Sequence, residues 1–126
     1  PGGTYFFTLV TYRRRILFDD SKARASLHDA IEEVRKKHPF EIVAMVLLPE
    51  HLHTVLTLPP GDARYPTRWR RIKEEFTKRF LGSGGEESKQ TKGRREKGYR
   101  GTWQKRFWEH TCESDRDLKR CVDYVH

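Results

Sequence analysis

The sequence predicts a single α+β domain built on an antiparallel sheet of about four strands, with helices mainly on one face. Three observations carry that expectation. Two runs of strand length meet at a Leu48-Pro49-Glu50 break, two further segments repeat apolar residues at helical steps, and the aromatic content is high for a lean chain. The 126 residues are 35% hydrophobic and include three Trp, five Tyr and seven Phe, enough for one modest core and too few for two. The domain is therefore expected to span residues 1–126.

Thr4 to Tyr12, TYFFTLVTY, is rich in aromatic and β-branched residues and reads as a central strand that ends where Arg13, Arg14 and Arg15 begin. Asp20 or Ser21 can cap a helix whose apolar positions Leu27, Ala30, Ile31 and Val34 recur at helical steps, and Pro39 stops it after His38. Glu41 to Leu48, EIVAMVLL, is a continuous apolar strand; His51 to Leu58 then alternates, so the two form an antiparallel hairpin. Alternation puts His51, His53, Val55 and Thr57 on one face, with Leu52, Thr54, Leu56 and Leu58 on the other.

After Pro59-Pro60-Gly61-Asp62, Pro66 suits the first turn of a second helix with Trp69, Ile72, Phe76 and Phe80 on one stripe. Its other faces carry Arg68, Arg70, Arg71, Lys73, Lys78 and Arg79. Residues 82–101 have neither period nor apolar content and are expected to form a mobile basic loop. Thr102 to Phe107 reads as a short strand and Trp108 to Thr111 as an irregular link. From Ser114 a third helix, with Leu118, Cys121, Val122 and Val125 on its apolar face, is expected to be cut off by the end of the chain.

The 26 Lys and Arg against 18 Asp and Glu give a net charge of +8 and a pI near 9.7. Such a balance favours polyanions through phosphate neutralisation and counterion release, although a solvated basic face would give the same numbers. Cys112 and Cys121 lack CxxC spacing, which argues against a zinc knuckle or a disulfide scaffold and makes the reduced cytoplasm the expected location. No apolar stretch approaches the roughly 20 residues needed to span a bilayer, and PGGTYFF has no charged segment followed by a signal core. No membrane partner is expected.

Chemistry concentrates in two places. His51 and His53 stand two residues apart on one strand face, about 6 to 7 Å along the chain, from which both can reach one cation. Hydrogen-bonded structural histidines would show the same spacing. Tyr124 lies one helical turn beyond Arg120 at the border of the apolar stripe, where its hydroxyl could be presented; a packed boundary tyrosine fits the same pattern.

His51-Leu52-His53 fits an HUH triplet with a hydrophobic middle residue. Together with GGTYFFTLVTYRRR, the LLPEHLH turn, WQKRFWEH and the late DYVH, it resembles the REP-associated tyrosine transposases, single-tyrosine HUH endonucleases, over nearly the whole chain. The resemblance implies the ferredoxin-like core of HUH nucleases. It implies Mg2+ or Mn2+ on His51 and His53, and attack by Tyr124 on a phosphodiester to give a 5′-phosphotyrosine and a free 3′-OH. The expected substrate is an imperfect hairpin of REP type with a single-stranded flank, and a homodimer is a further expected partner.

Similar proteins complete the metal site with an amide side chain one turn after the tyrosine. This chain stops at His126, two residues after Tyr124, so either the sequence is truncated or another group such as Glu50, His110, His126 or water substitutes. Arg13, Arg14, Arg15, Arg70, Arg71, Lys105 and Arg106 are the candidate DNA phosphate contacts, and Trp103 or Tyr99 a candidate base-stacking residue, with Trp69 better placed for the core. Two rivals stand beside this reading: a non-catalytic single-strand or hairpin binding module, and a metal-dependent phosphoesterase using activated water. The latter lacks the clustered carboxylates of an oxygen-rich two-metal site.

Overall fold

The computed structural model describes residues 3–85, Trp103, residues 108–112, and residues 114, 116, 119, 120, 122 and 123. Strand β1 (Thr4–Val10) leads through a short turn (Tyr12–Arg14) into helix α1 (Ser21–Lys37). Strands β2 (Glu41–Leu48) and β3 (His51–Thr57) follow, then helix α2 (Tyr65–Gly82) and strand β4 (Trp108–Cys112). The strands form one antiparallel sheet in the order β2-β3-β1-β4. This is the βαββαβ arrangement of the ferredoxin-like fold, and the predicted α+β class is the one adopted.

Local chemistry explains the elements. The Asp20 carboxylate accepts from the Lys22 backbone N–H at 2.9 Å and caps α1, whose Leu27, Ala30, Ile31 and Val34 are all buried as their spacing requires. Pro66 lies in the first turn of α2, and Trp69, Ile72, Phe76 and Phe80 form its buried stripe. Both helices pack on the sheet face carrying Phe7, Leu9, Leu52, Leu56 and Leu58. Each such side chain, fully buried, contributes about 1.5–3 kcal/mol, so this face holds most of the hydrophobic stabilisation.

The opposite face carries a smaller cluster of Phe6, Ala44 and Val55, against which Val46 and Val122 pack. Residues 116, 119, 120, 122 and 123 are helical, in keeping with the third helix read from Ser114, and Val122 brings that segment over this second face. Covered on both sides, β3 buries every residue from Leu52 to Leu56.

Three expectations need correction. The first strand ends at Val10 rather than Tyr12, because the Thr11 backbone N–H and hydroxyl turn to the Glu50 carbonyl at 2.9 and 3.1 Å. Trp108–Cys112 is a strand rather than an irregular link: it takes the open edge of β1, pairing Trp108 with Thr8 and Cys112 with Thr4. Its polar sequence gives no apolar run, and the pairing partner decides its conformation. Helix α2 also extends through Gly82, the first residue assigned to the loop. Residues 86–101, the expected strand at 102–107 apart from Trp103, and Lys105, Arg106, Tyr124 and His126 lie outside the described residues.

Candidate metal and nucleic-acid site

The Pro49-Glu50 turn delivers His51 to the first position of β3, opposite Leu48 of β2 and Val10 of β1. His53 then faces Val46 and Thr8. The imidazole centroids are 4.6 Å apart with planes at 80°. His53 also stacks on Phe6 at 5.8 Å, which fixes its ring against the second core cluster.

Each imidazole uses Nδ1 for a neighbour. The Glu50 carboxylate oxygen lies 2.9 Å from His51 Nδ1, and the Thr8 hydroxyl 2.9 Å from His53 Nδ1. A cation bound here would therefore meet the two Nε2 atoms, and a carboxylate or hydroxyl behind the ring is the usual support of a metal-bound histidine. Burial of His53, and secondarily the neighbouring His51, push its pKa below the ordinary value and hold it in the neutral form that metals bind. The residues thus fit a divalent cation. Two nitrogen donors suit Mn2+ or another first-row metal better than Mg2+, which prefers oxygen.

Glu50, one expected substitute ligand, instead supports His51, and among the described residues no group of three or more His, Cys, Asp or Glu gathers around one point. His110 stands in β4 at the register position opposite Phe6. The sequence reading missed Thr8 altogether. Alternation puts it on one face with Phe6, but only the β1–β3 register shows that it meets His53.

Arg13 and Arg14 are exposed immediately beyond β1, and Arg15 is partly so. Both Arg13 (φ 54°) and Arg14 (φ 53°) are left-handed, and the Arg15 N–H donates to the Tyr12 carbonyl at 3.2 Å, closing a turn of the I′ kind. Asn-Gly normally occupies that turn; a residue with a Cβ there costs about 1–2 kcal/mol.

Arg70 and Arg71 are exposed on α2, the layer packed against the other sheet face, so the fold does not bring them to the histidines. Arg71 lines a groove with Glu33, Lys37, His38 and Glu75 between α1 and α2. Arg68, read from sequence as part of a basic outer face, is 2% exposed. Its guanidinium donates to Asp62 and to the carbonyls of His38, Pro39 and Arg64. Trp69 and Trp103 are core residues, 1% and 4% exposed, and present no face to a base. Arg120 is exposed on the helical segment that Val122 anchors.

Comparison with known proteins agrees with this fold. Residues 3–126 match the family described as Transposase IS200 like. The chain is 38% identical over 125 residues, 99% of its length, to the REP-associated tyrosine transposase of Escherichia coli (strain K12) and spans 65% of that protein, just under two thirds. It is similar to the solved structure of a REP-associated tyrosine transposase bound to a REP hairpin, with 38% identity and a TM-score of 0.74, over 98% of this chain and 64% of that one. A structure from Deinococcus radiodurans R1, 18% identical with a TM-score of 0.63 over 97% of this chain and 87% of that one, shares the fold. No helix among the described residues is long and apolar enough to cross a membrane.

Proposed function

This chain belongs to the IS200-like transposase family, and on that premise we propose that it cuts and rejoins single-stranded DNA beside hairpins, with Tyr124 as nucleophile and a divalent cation, Mn2+ or Mg2+, on His51 and His53. The observation that carries this reading is the histidine pair, with ring centroids 4.6 Å apart and each Nδ1 engaged by a supporting group. The substrate class follows from the basic charge and from the relative solved with a REP hairpin. With DNA as substrate the protein would work in the cytoplasm.

A tyrosine hydroxyl, with a pKa near 10, is a weak nucleophile at neutral pH. A bound cation supplies electrophilic polarisation of a phosphate oxygen. Tyr124 Oη attacks phosphorus, the bond from phosphorus to the 3′ oxygen breaks, and the tyrosine proton reaches that oxygen through water. The products are a 5′-phosphotyrosine and a free 3′-OH. The phosphate ester is conserved, so attack by a 3′-OH on the phosphotyrosine rejoins a strand without an outside energy source. His51 and His53 hold position, while Glu50 and Thr8 hold the histidines.

The test is incubation with labelled single-stranded hairpin DNA and Mn2+, read on a denaturing gel for wild type and Tyr124→Phe. A covalent protein–DNA band that needs metal and vanishes in the variant is expected. Cleavage without an adduct that survives in the variant would establish the phosphoesterase instead; binding without cleavage, by this chain and by a version extended at the C-terminus to supply the third ligand, would establish the binding module.

A further inference from the structure

We propose that the Arg13–Ile16 turn is a preformed contact for the single-stranded DNA next to the cut phosphodiester, with Arg13 and Arg14 on backbone phosphates and Ile16 against a base face. This rests on the proposed DNA substrate, and deepens it by naming the element that holds the strand.

Four observations converge on the turn. First, two arginines occupy successive left-handed positions, φ 54° and 53°, where Asn-Gly would sit without strain. Strain of this kind persists where the surroundings over-determine it, and it collects at ligand clamps.

Second, the turn shares one frame with the histidine strand. The buried Thr11 hydroxyl donates to the Arg15 carbonyl at 2.7 Å and to the Glu50 carbonyl at 3.1 Å, and the Leu17 and Phe18 N–H groups donate to the Pro49 carbonyl at 2.9 and 3.0 Å. Val10, three residues before Arg13, pairs with His51, so the chain from Val10 to Arg13 can span at most about 11 Å.

Third, the charges are aimed outward. The Arg13 guanidinium lies over the Tyr12 ring at 5.2 Å, and its planar donor edges suit a phosphate. The exposed Arg14 side chain has no partner among the described residues.

Fourth, Ile16 is 67% exposed, the most of any large hydrophobic among the described residues, and Leu48, 37% exposed, lies on the other side of the Pro49-Glu50 turn. Two exposed apolar side chains flanking the turn before His51, beside two outward arginines, suit an unpaired nucleotide. Its base has an apolar face, its backbone a charge.

The experiment is fluorescence anisotropy of a labelled single-stranded oligonucleotide, alone and joined to a hairpin, titrated with the full chain across a salt series, alongside thermal melts. Arg13→Asn/Arg14→Gly restores the residues the turn prefers. It is expected to raise Tm by about 5 °C, weaken binding on the order of tenfold and lower the salt slope by about 1.4, two single-strand phosphates' worth. Ile16→Ser is expected to weaken binding several-fold with the salt slope and Tm unchanged. The charge-matched control is Lys36→Gln/Lys37→Gln on α1, in the layer away from the histidines.

Wild-type affinity and slope in Arg13→Asn/Arg14→Gly, or an equal loss of slope in the control, would overturn the proposal. If wild type forms the covalent adduct and the turn variant binds unchanged, the turn fails and the tyrosine reading stands. If no adduct forms, even with the chain extended at its C-terminus, but the turn variants lose binding as described, the turn stands and the tyrosine reading fails.

Discussion

Metal affinity should depend on Thr8, a residue that touches no metal. For His53 to ligate through Nε2, its proton must sit on Nδ1, so the Thr8 hydroxyl 2.9 Å away must accept it. Thr8→Val keeps the shape of the side chain and removes the acceptor. His53 is 9% exposed, so water scarcely replaces the lost partner, and the tautomer and ring angle are released together. Loss of such a supporting partner weakens metal binding about 10–100-fold, or about 1.4–2.8 kcal/mol.

Glu50→Gln should cost less, because the amide oxygen still reaches His51 Nδ1 and the His51 side chain, 17% exposed, has water nearby. Titration calorimetry with Mn2+ alone measures both, and 15N spectra of the metal-free protein report the tautomer independently of any catalysis. A Thr8→Val dissociation constant within twofold of wild type, or an Nε2–H tautomer for His53 in the wild type, would falsify the argument.

Two further perturbations read other parts of the fold. Arg68→Ala leaves Asp62 and the carbonyls of His38, Pro39 and Arg64 without the guanidinium that binds them. It should destabilise by about 3–5 kcal/mol, a urea midpoint lower by roughly 2 M. Because these loops join the end of the sheet away from His51, Mn2+ affinity of the folded fraction should not change; a parallel loss of both would refute that separation.

Lys73 is held mostly out of water, which pulls its pKa from the ordinary 10.5 down to about 8. Between those values the unfolded chain keeps the proton and the folded chain has released it, so stability should rise with pH across that window. Lys73→Met should therefore stabilise at pH 7, on the order of 1–3 kcal/mol, with the advantage shrinking towards pH 10. Urea melts at the two pH values check it, and parallel wild-type and variant profiles would count against a buried ammonium.

The legible parts of this fold are those in which one face does all the work. Leu27, Ala30, Ile31 and Val34 could be read because a helix with one wet side repeats its apolar residues at a fixed step, and the hairpin could be read because EIVAMVLL and the alternating run after it meet at a proline. What stayed hidden depended on partners distant in sequence. Trp108–Cys112 becomes a strand only because β1 has a free edge, and Thr8 becomes a support for His53 only through a pairing 45 residues long. The histidine pair was visible as two candidate ligands on one face; the groups behind the rings were not.

Arg68 and the Arg13-Arg14 pair mark a different failure, in which residue type overrode position. Arg68 lies four residues before Ile72 and one before Trp69, within the arc that the helical period assigns to the core, yet its charge suggested the outer surface. Burial became tolerable because Asp62 and three carbonyls meet the guanidinium there, an arrangement made by two loops that helical periodicity does not describe. The Arg13-Arg14 pair is the converse. Read as the charged end of a strand, it occupies a backbone conformation that its residue type disfavours, and nothing inside the described fold uses the Arg14 side chain. Satisfied internally, Arg68 belongs to stability. Strained and directed outward, Arg14 finds no compensation among the described residues, and the proposed contact with an anion would supply it.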